Sequence, residues 1–215
     1  MWLLLFAAFT LPLYTVYRAL AAAKRRVQVR TGVGVEGAMM ERVLRGCSTD
    51  RVTACSGFVP SVSMQDVPVQ GLLCVVRYLG RLTGRYDVSD AFMALQMDAA
   101  LEPLAQVAER MRGKGEESEV TREDVLYVVN LTLSLYAPGC FGYLMGQSDR
   151  TVVDDCYEGA VEWVFCHRGY KDLDLLEELG DIVWVRALRS NAARLRSGPS
   201  SAVDDAPLGP DDGGH

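Results

Sequence analysis

Val59-Pro60, in the stretch "FVPSVSMQD", is the first place where residue type alone limits the chemistry. Proline has no N–H to give to a ladder, so a strand that contains it lies at an edge, at a bulge or at a cis turn. With a cis bond, the peptide groups of Val59 face outward and an extended peptide can pair with them as an added strand. An edge proline with no ligand is the plain alternative. Gln70-Gly71-Leu72 opens the next helix, whose first amides are free donors and favour an anion such as a carboxylate. Gly71 caps only weakly and Leu72 offers no oxygen. A third constellation, Thr151-Val152-Val153-Asp154, has the spacing of a reciprocal capping box. Its role is structural, worth about 1 kcal/mol, and it sets where a core helix begins.

Other chemistries are limited by what the chain contains. Six cysteines (Cys47, Cys55, Cys74, Cys140, Cys156, Cys166) form no C-x-x-C pair, and His167 and His215 are the only histidines. No zinc cluster, and no metal, is expected from that set. Several thiols sit in apolar runs such as "GLLCVVRYL" and "EWVFCHRGY", where a reduced Cys packs as a small hydrophobe. A formal charge of -6 provides no basic surface for phosphate backbones, so nucleic acid is not an expected partner.

The elements that must position these residues fall into two kinds. The 215 residues, 49% hydrophobic, suit one large or two small domains. Residues 2–9 read as a strand buried on both faces, and Pro12 opens a helix over 13–26. "VQVRTGV" is a second strand, followed by a helical pattern over 36–45. The polar stretch 46–57 has no clear assignment. Residues 58–64 read as a strand, 65–66 as a turn, 67–69 as a hairpin partner and 72–82 as a helix. That succession makes an α/β layer. From Ser89 the apolar spacing is helical throughout. The expected organisation is therefore residues 1–84, an all-helical domain over 88–197, and a tail over 198–215 rich in Pro, Gly, Ser and Asp that has little to bury and is expected to be disordered.

The opening segment admits other readings. Residues 2–17 are uncharged, but the run is shorter than the ~20 residues of a spanning helix, Pro12 sits inside it and Arg18 follows it. Ala21-Ala22-Ala23 resembles a cleavage site, though no basic region precedes the apolar core. The strand-then-helix reading and a cytoplasmic location are taken here. An anchor through residues 1–23 and a signal peptide are the alternatives.

Four pieces together resemble the cytosolic glutathione transferase family: "FVPSVSMQD", "VVRYLGRLTGRY", "GQSDRTVVDD" and "DLLEELGDIVWVRALRSN". The resemblance implies a thioredoxin-like, glutathione-binding domain before the helical one. It also implies transfer of the glutathione thiolate to an electrophile, no metal, and a homodimer. By resemblance Pro60 is cis, Val59 pairs with the tripeptide backbone, and the helix start takes the γ-glutamyl carboxylate. The family's Gln/Glu-Ser pair falls here on Gly71-Leu72, with Gln70 one residue early. The family activates the thiol with a hydroxyl or thiol near the end of the first strand or the start of the first helix. The spacing from Pro12 to Arg18 places Tyr14 in that role, with Thr10 and Thr15 nearby; a Tyr packed in the helix is the alternative. Asp98 resembles a carboxylate that faces the glutathione amine, with an exposed helix-surface Asp as the alternative. Because the Gln/Glu-Ser pair is not intact, a second function stands beside the first. In it the fold serves as a non-catalytic binding or scaffolding module with a protein partner, as in translation elongation factor and tRNA-synthetase assemblies.

Overall fold

The computed structural model describes residues 27–47, 52–64, 67–86, 89–113, 120–136, 142–167, 174–180 and 182–197. The expected strand over 2–9, the helix over 13–26 with Tyr14, the anchor alternative and the tail over 198–215 all lie outside the described residues. The described chain starts directly in the sheet.

Strand β1 (Val27–Arg30) pairs in parallel with β2 (Val52–Cys55), Val29 opposite Ala54, and antiparallel with β3 (Ser61–Met64), Val29 opposite Val62. Strand β4 (Val67–Gln70) pairs antiparallel with β3 to complete a sheet of order β2-β1-β3-β4. A parallel pair needs a crossover, and helix α1 (Gly34–Arg45) supplies it. Val27 and Val29 are buried while Gln28 and Arg30 point the other way, the period-two alternation of a sheet covered on one face. Helix α2 (Leu72–Thr83) follows β4 and ends at Gly84 in the left-handed conformation, φ 71°, a position that favours glycine.

Two sequence expectations change here. The strand expected over 58–64 begins only at Ser61, so Pro60 stands before the ladder and not within it. The proline inside a strand is Pro68, on β4, where the missing N–H costs little because β4 is the edge of the described sheet. The unassigned stretch 46–57 contains β2, four residues led by the β-branched pair Val52 and Thr53.

The remainder is helical: α3 (Ala91–Gly113), α4 (Arg122–Leu135), α5 (Val152–Glu162), α6 (Asp174–Glu178) and α7 (Val183–Ser197). Helix α5 is the buried axis, with every residue from Val152 to Val161 out of solvent. It crosses α1 so closely that a Cβ on Gly159 would sit 2.7 Å from the Cα of Met39 and the carbonyl oxygen of Ala38. Charges flank that contact. Arg42 reaches Glu158 at 2.9 Å and Glu162 at 2.5 Å, Arg150 bonds Asp155 at 2.6 Å and also Glu158, and Arg85 meets Asp155 at 2.6 Å. The desolvation cost of such largely buried pairs offsets much of their attraction, so they add little net stability. Among the described residues no helix is long and apolar enough to cross a membrane.

Candidate functional site

A groove of about 380 Å³ opens where the start of α2 faces α3. One wall holds Val59, Gln70, Gly71, Leu72 and Cys74, so the structure brings together the residues singled out around the proline and the helix start. The other wall holds Glu102, Glu109 and Arg112 of α3, with Glu36 from the first turn of α1.

The helix start is open. Gly71 is the N-cap residue at φ 109° and ψ 135°, makes no side-chain cap, and is followed by no acidic residue in the first turn. A helix leaves its first amides without internal acceptors, here those of Leu72, Leu73 and Cys74, and its dipole favours an anion beside them. The amide of Gly71 itself is engaged, donating to the carbonyl of Pro60 at 3.0 Å.

The cis bond expected at Val59–Pro60 is not found; the bond is trans. Pro60 is buried, and its ring packs on Gly32, where a Cβ would lie 2.8 Å from the proline Cδ. Gly32 has φ 83°, a conformation glycine tolerates without strain. Ring packing and the bond from Gly71 together hold the loop extended into β3. Pro60 is absent from the described lining of the groove, whereas Val59 is part of it.

The charged wall has its own order. Arg112 donates to Glu36 at 3.1 Å and lies 3.7 Å from Glu109. Burial pushes the Glu36 carboxyl above the usual range, and the Arg112 guanidinium pulls it partly back. Asp98 is placed outside this lining. It accepts from the Nε of Arg77 at 2.7 Å and from the hydroxyl of Tyr86 at 2.7 Å, tying α2 to α3. That hydrogen bond raises the Arg77 pKa, and burial raises that of Tyr86.

The first described strand ends at Arg30, and the hydroxyl that follows it is Thr31. Its Oγ1 lies 3.5 Å from the Gly32 carbonyl oxygen. Thr31 lines a different, open groove of about 500 Å³ beside the β2 edge, with Glu41, Arg45 and Cys55.

At α5 the capping box is complete. Thr151 N–H donates to Asp154 Oδ2 at 2.9 Å, and Asp154 N–H to Thr151 Oγ1 at 3.5 Å. The other carboxylate oxygen accepts from Leu144 N–H at 2.9 Å and from Trp184 Nε1 at 3.3 Å. Burial raises the Asp154 pKa even so, against the pull of the hydrogen bonds its carboxylate accepts from Leu144 N–H, Thr151 N–H, the Thr151 hydroxyl at 3.0 Å and Trp184 Nε1.

The α3 wall was missed at the level of sequence. Glu102, Gln106 and Glu109 recur at four and three, the spacing of one helix face, which marks a polar stripe without showing what it faces. Among the described residues no three His, Cys, Asp or Glu side chains are grouped to hold a metal ion.

No protein-family model matches the sequence, and no curated protein matches it. Among solved structures the chain is similar to prostaglandin synthase D of Nilaparvata lugens, with 15% identity, 86% of this chain and 100% of that one covered, and a TM-score of 0.53. The glutathione S-transferase from Ascaris lumbricoides is also similar, with 13% identity, 81% and 93% covered, and a TM-score of 0.46. At such identities the likeness concerns the fold. With the mixed four-stranded sheet and its helical remainder, that fold is a thioredoxin-like α/β unit followed by helices.

Proposed function

We propose that this chain binds a glutathione-like thiol peptide in the groove between α2 and α3, as a binding module and not as a transferase. The observation that carries the reading is the opposition of the two walls: an uncapped helix start faces the carboxylates of Glu102 and Glu109. A γ-glutamyl end carries one carboxylate and one ammonium on the same carbon. The amides of Leu72, Leu73 and Cys74 take the first and the α3 carboxylates take the second. The backbone of Val59 offers a short edge for the rest of the peptide, and Gln70 adds an amide at the rim. Asp98 acts at a distance by fixing α3 against α2.

The non-catalytic half of the proposal rests on the helix start, where Gly71-Leu72 stand in place of the family's Gln/Glu-Ser pair. In a transferase, a donor near the bound sulfur would favour the thiolate and the site would hold it against an electrophile. A homodimer belongs to the same proposal, with the exposed side chains of Phe92 and Leu95 on α3 as apolar contact, as does a cytoplasmic location.

Calorimetric titration with S-hexylglutathione, run beside a thiol-conjugation assay, tests both halves. Saturable binding without turnover above the thiol background is expected. Absence of saturable binding removes the ligand. Turnover removes the module reading and brings Tyr14 forward, in which case Tyr14→Phe must abolish it. Sedimentation tests the dimer, and recovery in a carbonate-resistant membrane pellet would replace the cytoplasmic location with the anchor.

A further inference from the structure

We infer that the groove selects a thiol peptide whose far carboxyl end is masked as an ester or amide, or carries an amine, over free glutathione. The inference rests on the groove reading above and concerns which member of that ligand class it takes. Its basis is the inventory of charge around the cavity. The described lining holds three carboxylates, Glu36, Glu102 and Glu109, against one guanidinium, Arg112. Arg112 is already held by Glu36 at 3.1 Å and lies 3.7 Å from Glu109, so its charge is largely answered within the protein.

Glutathione at neutral pH carries two carboxylates and one ammonium. The ammonium suits Glu102 and Glu109, and one carboxylate suits the open start of α2. The second carboxylate finds no further cation among the described lining residues. It must sit beside described lining residues of net negative charge, where like charges repel and low-dielectric walls concentrate the field. Masking that carboxylate removes the repulsion and leaves every favourable contact in place. An amine there turns it into attraction.

The test compares glutathione with its glycine-end monoethyl ester by calorimetric titration of the full chain, at about 20 mM and about 300 mM salt. The ester is expected to bind about fivefold tighter at low salt, an advantage that shrinks at high salt as partly exposed charges are screened. A double substitution, Glu102→Gln with Glu109→Gln on the exposed face of α3, is expected to bring the ratio close to one. Glutathione binding as tightly as the ester overturns the inference while leaving the groove as a glutathione site. A preference that survives the double substitution also overturns it, because the chain's overall negative charge then accounts for the effect. If neither peptide binds, the groove reading falls and takes the inference with it.

Discussion

Two helix starts in this molecule are built from opposite principles. At α5 the first turn is closed by its own side chains: Thr151 and Asp154 satisfy each other's amides, and Asp154 also receives Leu144 and Trp184, all out of solvent. At α2 the corresponding position is Gly71, with no side-chain oxygen, no acidic residue in the first turn and a groove in front of it. Both helices are anchored by apolar packing, so neither needs a cap to exist. The difference therefore separates a helix start that holds the protein together from one that is left available to something else.

The largest expected effect tests the closed end. Asp154→Ala leaves the donors on Thr151, Leu144 and Trp184 without their acceptor in a buried place, and should cost about 3 kcal/mol or more by urea denaturation. A loss below about 1 kcal/mol would mean that the box is not what fixes α5. A matched pair sharpens the point: Thr151→Ala at the buried box should cost about 2 kcal/mol, and Thr121→Ala at the exposed box of α4 about 1 kcal/mol or less. Equal losses would show that burial adds nothing to a cap.

Closing the open end is the converse experiment. Cys74→Asp places a carboxylate in the first turn of α2, where the dipole should raise stability by at most about 0.5 kcal/mol. The same charge occupies the place of the ligand's carboxylate, so affinity for S-hexylglutathione should fall about tenfold. Unchanged affinity would show that the helix start is not part of the site.

The smallest effect concerns Glu36. Burial raises its pKa in the folded state, so the folded protein holds that proton more firmly than the unfolded chain. Its contribution is fully present below the ordinary carboxylate value of 4.5 and is lost as pH rises through the raised folded value. The stability of the wild type relative to Glu36→Gln should thus decline as pH rises from 4.5 through the raised folded value, measured by paired urea melts. A difference that grows with pH would reverse the sign assigned to this group.

The sequence showed what is local and hid what is not. The box at Thr151 could be read because donor and acceptor are three residues apart, and the helices over 34–45 and 72–83 because their apolar spacing is regular. Thr121 and Asp124 have the same three-residue spacing, yet they follow the charged stretch "RGKGEESEV", and no apolar run before them marks where a helix starts. Strand β2 was hidden by its length of four residues inside a polar stretch. The isomer at Pro60 depends on Gly32 and Gly71, residues distant in sequence that only the folded chain brings beside it. Asp98 is similar: its partner Arg77 is 21 positions away, so the spacing along α3 could show an acidic residue but not its bond. The groove itself joins α1, α2 and α3, and its charge could not be read from any one of them.

Gly159 has a consequence for the molecule as a whole. Since α1 and α5 meet there with main chain against main chain, neither the sheet layer nor the helical layer keeps a finished surface once the other is removed. Heating should melt both in a single calorimetric transition; two separated transitions would show that the layers fold independently.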